Sequence, residues 1–282
     1  MSQQPQSQPQ KPRLLILGAG SEAAWVIEIL AATGNPYEII GLVDLTERGK
    51  LKGTRMEGYE VLGTVEELLT IADRGVDYYI AASRDNRARA DATRRAEVCG
   101  IYPVKIFHPR ATVATSSRIE PGSILHPGCV LGPRAVVRAG SVIDTRASID
   151  GFSTVGPFAH LDVGCHIAGR CDIGPYVTVG AGSIVLPRVR VGQGAIVAPG
   201  TVVTRPVDDF CVVSGSPARV IDRLERPRDS ATSMYEQSSG TREIPKAPPD
   251  SSPDVRAESG AREGDDELPD ARPLDDVAEA DS

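Results

Sequence analysis

The sequence predicts an α/β fold in two parts: a small Rossmann-like domain, then a left-handed parallel β-helix. Three observations predict it. Residues 13–20, RLLILGAG, form a short apolar run that closes on glycines and leads into a segment of helical spacing. From Val113 to Val203 every sixth residue is Val, Ile or Leu, without exception. Beyond about Glu225 the chain turns to Ser, Pro, Asp and Glu and has almost nothing to bury, so the ordered body is expected to end there.

In the first part, RLLILGAG reads as a strand and a tight glycine turn, and SEAAWVIEILAATG as a helix stopped by Gly34. A second strand, YEIIGLVD, ends in Asp44, the place where a doubly wound sheet sets a carboxylate that can bond a ribose hydroxyl. GTVEELLTIADRG reads as a helix, DYYIAAS as a strand and NRARADATRRAEVCG as the helix after it. This alternation implies a parallel sheet over residues 13–105. Gly18 and Gly20 match two of the three glycines of a dinucleotide fingerprint, with Ala23 at the third. Backbone N–H groups at that helix start suit a phosphate; a tight turn without ligand needs the same glycines. Arg84, Asp85 and Asn86 follow a strand's carboxyl end, where such sheets bind ligands, or simply begin the next helix.

In the second part, residues 106–222, a strict period of six fits neither a helix nor a simple strand. It fits a hexapeptide solenoid in which three hexads close one triangular coil, giving about five coils here. The aliphatic residue fills the interior. Four places later a second register runs through small residues, among them Ser123, Cys129, Ala135, Ser141, Ala147, Ser153, Ala159, Cys165 and Cys171, suited to the corners. Gly and Pro within many hexads supply the turns. Stacking at eighteen residues sets Asp162 above Asp144 and His126 below both.

The formal charge of -7 sits mostly in the acidic segment 223–282, which leaves a nearly neutral body and no basic groove for nucleic acid. That segment and Met1–Pro12 are expected to be disordered, and Met1–Pro12 lacks the apolar core of an export signal. No apolar run approaches the ~20 residues of a membrane span. The five cysteines form no CxxC pair, which argues for a reducing compartment, by default the cytoplasm. Packing explains Cys129, Cys165 and Cys171, so no metal site with His166 is expected.

The combination resembles the bacterial hexapeptide-repeat sugar O- and N-acyltransferases, typified by UDP-amino-sugar acetyltransferases and sialic-acid O-acetyltransferases, over residues 13–222. The resemblance implies a homotrimer with active sites between neighbouring β-helices, acetyl-CoA as acyl donor lying along the coils, and a nucleotide-sugar held by the first domain. The family's glycine turn corresponds to GAGSEA at 18–23, where Gly18 is kept and Ser21, Glu22 and Ala23 replace Gly, His and Gly. Its Phe-Ser-His segment corresponds to Phe158, Ala159 and His160, which carries the histidine near the acetyl group onto His160. Ala168 and Gly169 fall on the CoA-binding ledge, and GSPAR at 215–219 places Arg219 toward a CoA phosphate. The catalytic His-Glu pair falls on Gly151 and Phe152, and the Asn seven residues before that histidine on Asp144.

Acyl transfer needs a base and donors for a developing oxyanion. Glycine offers no base. His160 lies between inward Ala159 and Leu161, so its ring turns outward on the side of Asp162, a carboxylate able to orient it. It is the surviving base candidate, with CoA contact or subunit packing as the alternative role. Asp144 and Asp150 are weaker bases or solvated rungs. His108 reads as a structural turn before the first coil, and His126 and His166 as exposed rungs. The expected function is acetyl-CoA-dependent acylation of a free or nucleotide-linked sugar in surface-polysaccharide synthesis; the alternative, given Gly151, is a catalytically silent trimeric scaffold.

Overall fold

A computed structural model describes residues 11–46 and 49–226. The disorder expected of the two termini concerns residues outside this range, apart from a few at its margins. The first domain runs β1 (Arg13–Leu17), α1 (Ser21–Ala32), β2 (Glu38–Asp44), β3 (Arg55–Met56), β4 (Tyr59–Thr64), α2 (Leu68–Ala72), β5 (Tyr78–Ala81), α3 (Asn86–Val98) and β6 (Tyr102–Pro103). Its sheet has the order β3-β4-β2-β1-β5-β6. All pairings are parallel except β3 with β4. That hairpin was not anticipated from sequence, although Glu57 and Gly58 adopt the two positive φ angles, 48° and 84°, of a tight two-residue turn. The segment after Gly63 is a short 3-10 turn, Val65–Glu67, followed by the five residues of α2, rather than one long helix.

From Ile106 onward the chain winds into a left-handed β-helix of two-residue strands, each paired in parallel with the strand eighteen residues away, as Val142 with His160 and Ile143 with Leu161. Three faces result. The first carries the outward residues Ile106, Ile124, Val142, His160, Thr178 and Ile196; the second runs from Thr112 to Val202; the third runs from Arg118 to Arg190. Inward aliphatic residues from Leu125 to Val203 are essentially fully buried and form one continuous core with the small corner residues. Serines in the small slot also bond to a neighbouring coil, as Ser141 Oγ to the Gly156 carbonyl at 2.9 Å and Ser153 Oγ to Ala168 at 2.8 Å. A close-packed prism accepts a polar corner only when the hydroxyl finds such a partner.

The first domain sits on the first face. Ala23, Val26 and Ile27 of α1 join Ile106, Ile124 and Val142 in one apolar cluster. Beside it, fully buried Arg89 of α3 donates to the carbonyls of Gly140 (2.6 Å), Phe158 (3.0 Å) and Ala159 (3.3 Å) and to Asn86 Oδ1 (2.9 Å). Asn86 in turn donates to the Tyr176 carbonyl and Thr178 Oγ1, both at 3.1 Å. Burial pulls the Arg89 pKa down to about 10, opposed by the charges of Glu22 and Asp85, so it remains a cation at neutral pH. The Gly140 carbonyl at a β-helix corner is thereby satisfied under the covering domain, while the Ala159 carbonyl also accepts the Val142 N–H at 3.0 Å in the ladder.

Candidate active site

Two features meet where the domains join. One is a pocket of about 360 Å³ at the carboxyl ends of β1, β2 and β5, lined by residues 18–22, 44–46, 51 and 82–85. Gly18, at φ +138°, is confined to glycine because a Cβ there would stand 2.1 Å from the Ala82 carbonyl oxygen. Gly20 caps α1 and faces open space. Ser21 and Glu22, whose N–H groups open α1 ahead of the first intrahelical bonds at Ala23 and Ala24, line this mouth. Asp44 lines the pocket, but its carboxylate accepts the N–H groups of Thr46 (2.8 Å) and Leu51 (3.1 Å). Burial works against its ionisation, and these bonds overcome it to hold the pKa below the usual carboxylate value. The group read from sequence as a ribose partner thus anchors its own loop.

The second feature is a chain of charges running across the domain boundary. Glu22 Oε1 meets His126 Nε2 at 2.8 Å, and His126 Nδ1 faces Asp144 Oδ1 at 3.2 Å. Asp144 Oδ2 lies 3.6 Å from His160 Nε2 and 3.4 Å from the Arg84 guanidinium, which also reaches Asp162 Oδ1 at 2.7 Å. His126, Asp144 and His160 are 0, 2 and 3 % exposed. Four atoms of this chain lack an aligned hydrogen bond: Glu22 Oε2, His126 Nδ1, Asp144 Oδ2 and His160 Nε2. At 3.2 and 3.6 Å the histidine contacts are electrostatic rather than well-formed hydrogen bonds. Burial acts to raise the Asp144 pKa; His160, His126, the Thr145 N–H and Arg84 outweigh it and hold the carboxyl at about 2. Ligand atoms of Asp144, His160 and Asp162 lie within 4.8 Å of one another, a spacing that could take a divalent cation, and the Arg84 guanidinium supplies positive charge at that point.

His126 corrects the sequence reading. Its rung faces outward as the register requires, but the first domain covers that face, so the ring is buried against Trp25 (centroids 5.2 Å apart) and Glu22. Glu22, seen in sequence only as a replacement in the glycine turn, is its partner. His108 is a turn residue as expected, with Nδ1 accepting the Arg110 N–H at 3.0 Å. His166 is exposed and bonded to Ser148 Oγ at 2.8 Å. Asp85 caps α3 through the N–H groups of Arg87 and Ala88, so of the three residues after β5 only Arg84 reaches both pocket and charged chain.

Gly151 lies on another edge of the prism, between the second and third faces. Its N–H donates to Asp150 Oδ1 at 2.7 Å, and exposed Phe152 beside it is flanked by the guanidinium groups of Arg134 and Arg170 at 5.5 and 4.9 Å. One coil along the same edge, the Ala168 N–H is used in the ladder, to Val185 at 3.0 Å, whereas the Gly169 N–H makes no ladder bond. Arg219 is exposed at the start of the last described strand, where its backbone pairs with Ser214 and its guanidinium donates to the Ala218 carbonyl at 3.0 Å. The corner cysteines are inert: burial pushes the thiols of Cys129 and Cys165 up to about 12.

Residues 13–96 match the PglD N-terminal domain, and residues 173–205 match the bacterial transferase hexapeptide repeat. No curated protein matches the sequence. Among solved structures, PerB from Caulobacter crescentus, in complex with CoA and GDP-perosamine, is 29 % identical, with 74 % of this chain and 97 % of that one covered and a TM-score of 0.69. The acetyltransferase domain of PglB from Neisseria gonorrhoeae FA1090, in complex with acetyl coenzyme A, is 28 % identical over 75 % of this chain and all of that one, with a TM-score of 0.68. WeeI from Acinetobacter baumannii AYE shares the fold at 19 % identity, covering 75 % of this chain and 100 % of its own, with a TM-score of 0.67. Over its described body the chain is thus similar to bacterial hexapeptide-repeat sugar acetyltransferases, with a match to the PglD N-terminal domain ahead of its β-helix.

Proposed function

We propose that the protein transfers an acetyl group from acetyl-CoA to the amine of a nucleotide-linked sugar, with His160 as base and the neighbouring Asp144 carboxylate stabilising the protonated ring. The observation that carries this reading is an unpartnered, buried histidine nitrogen beside two carboxylates, which Arg84 joins to the nucleotide-type pocket that it lines. The PerB complex with CoA and GDP-perosamine supports the substrate class. Acetyl-CoA, when bound, supplies the activated thioester. His160 Nε2 accepts the proton of the amine as the C–N bond forms, and that proton leaves with the departing sulfur. The Gly169 N–H is a free donor for the carbonyl oxygen, and Arg219 an exposed cation for a phosphate.

His160 and Gly169 lie on different faces and edges of one prism, so a site that uses both is built from two copies. This favours the homotrimer, as do the exposed apolar side chains Val130, Val163, Ile184 and Leu186 on and beside the second face. Five free cysteines suit a cytoplasmic setting, and a role in surface-polysaccharide synthesis rests on the family resemblance. The test is turnover of acetyl-CoA with GDP-perosamine and a panel of UDP-amino-sugars. His160→Gln is expected to lose about 10²- to 10⁴-fold in kcat, the usual worth of a positioned base. CoA binding without turnover on any acceptor would instead favour the silent scaffold to which Gly151 points.

A further inference from the structure

The geometry points to Arg84 as an exchangeable counter-ion: in the unliganded protein its guanidinium holds the seat between Asp144 and Asp162 that the acceptor's ammonium takes, and it moves onto the acceptor's phosphates when the nucleotide-sugar binds. The inference rests on the acyl-transfer reading above and deepens it. Arg84 is the sole cation among the described residues that line the pocket, against Glu22, Asp44 and Asp85 of opposite sign. A diphosphate entering there has one positive side chain to find, and charge-assisted bonds from a guanidinium to phosphate are strong.

The seat fits an ammonium better than it fits Arg84. Arg84 closes on Asp162 at 2.7 Å but stands 3.4 Å from Asp144 Oδ2, which stays without a hydrogen bond, as does His160 Nε2. Both residues are more than nine-tenths buried, where unmade bonds are costly. An ammonium brings three donors to three convergent acceptors: Asp144 Oδ2, an Asp162 oxygen and His160 Nε2. The swap keeps charge constant, since one cation leaves and another arrives. It also sets the nitrogen against the base: one N–H bond of the ammonium breaks and an Nε2–H bond forms, that proton passes on to water, and the neutral Nε2 then faces a neutral amine whose next proton it accepts as the C–N bond forms. The side chain has freedom to exchange, being 44 % exposed, while Asp85 and Asn86 fix the backbone beside it.

Arg84→Met keeps the stem and removes the charge. Calorimetry with GDP and UDP is expected to show the nucleotide bound about 10- to 100-fold more weakly than by wild type, as loss of a charged hydrogen bond implies. Free perosamine, which carries the amine without phosphate, is expected to bind several-fold more tightly because its seat is already vacated. Arg84→Lys should recover part of the nucleotide affinity. A residue with a purely structural role would weaken both ligands together, and that result, or unchanged nucleotide binding in Arg84→Met, overturns the inference. So does a wild-type chain that binds neither probe. These readouts are equilibrium binding, so failure of acetyl transfer is scored separately by the turnover assay.

Discussion

The first face of the β-helix and the edge between its second and third faces are built from the same hexads, yet they have opposite chemistry. On the first face the outward rungs His126 and His160, with Asp144 beside them, lie buried beneath α1 and the end of β5. On the edge, the positions that the resemblance makes catalytic are Gly151 and an exposed Phe152 between two arginines. The inward register builds the rod in both regions. What differs is whether a second domain removes water, because coverage turns weak surface charges into strongly interacting ones.

The sharpest contrast is between two arginines. Arg89→Met removes a buried cation that bonds three coil carbonyls, and is expected to cost about 3–5 kcal/mol in denaturant unfolding. Arg118→Met, on the uncovered third face, should stay within about 0.5 kcal/mol. Equal effects would mean that domain docking contributes little. Next come two corner glycines with similar φ. A Cβ on Gly140 would fall 2.3 Å from the ring of Phe158, a fully buried side chain stacked on Tyr176, whereas Gly182 has nothing within 4 Å. Gly140→Ala should therefore cost about 3 kcal/mol and Gly182→Ala about 1 kcal/mol.

The buried charges add a pH signature. With its carboxyl held at about 2 against an ordinary 3.8, Asp144 stabilises the fold fully above the ordinary value and loses that contribution as pH falls through about 2. The amount is about 2 kcal/mol. Unfolding measured from pH 6 to pH 2 should show the stability gap between wild type and Asp144→Asn narrowing toward acid; a constant gap would remove the electrostatic account. The smallest effect is expected at the edge. Gly151→Ala has only a 3.1 Å contact with the Pro133 carbonyl to relieve and should change acetyl transfer by less than about threefold.

The repeat was readable because a closed prism tolerates no exception inside: one polar residue among Leu125, Ile143, Leu161 and Val179 would sit unpaired in a dry core. Gly18 was readable for a similar steric reason. Docking was not, since the hexad says which way His126 points but not what lies in front of it. One signal was available for Arg89: it shares a helical stripe with Ala92, Thr93 and Ala96, all buried, so an arginine there had to find carbonyls. Glu22 offered no such signal, because its partner lies 104 residues away in the other domain. Asp44 shows the converse, a carboxylate at the position a ribose partner takes whose oxygens are turned into its own loop.

The most direct test of the reactive centre is the pre-steady-state rate of acetyl transfer to the nucleotide-linked amino-sugar that wild type turns over, measured side by side for wild type, His160→Gln and Gly151→Ala. Loss of two or more orders of magnitude at His160 with near-normal transfer at Gly151 is the expected result. Wild-type transfer by His160→Gln would contradict it and move the chemistry away from the covered face.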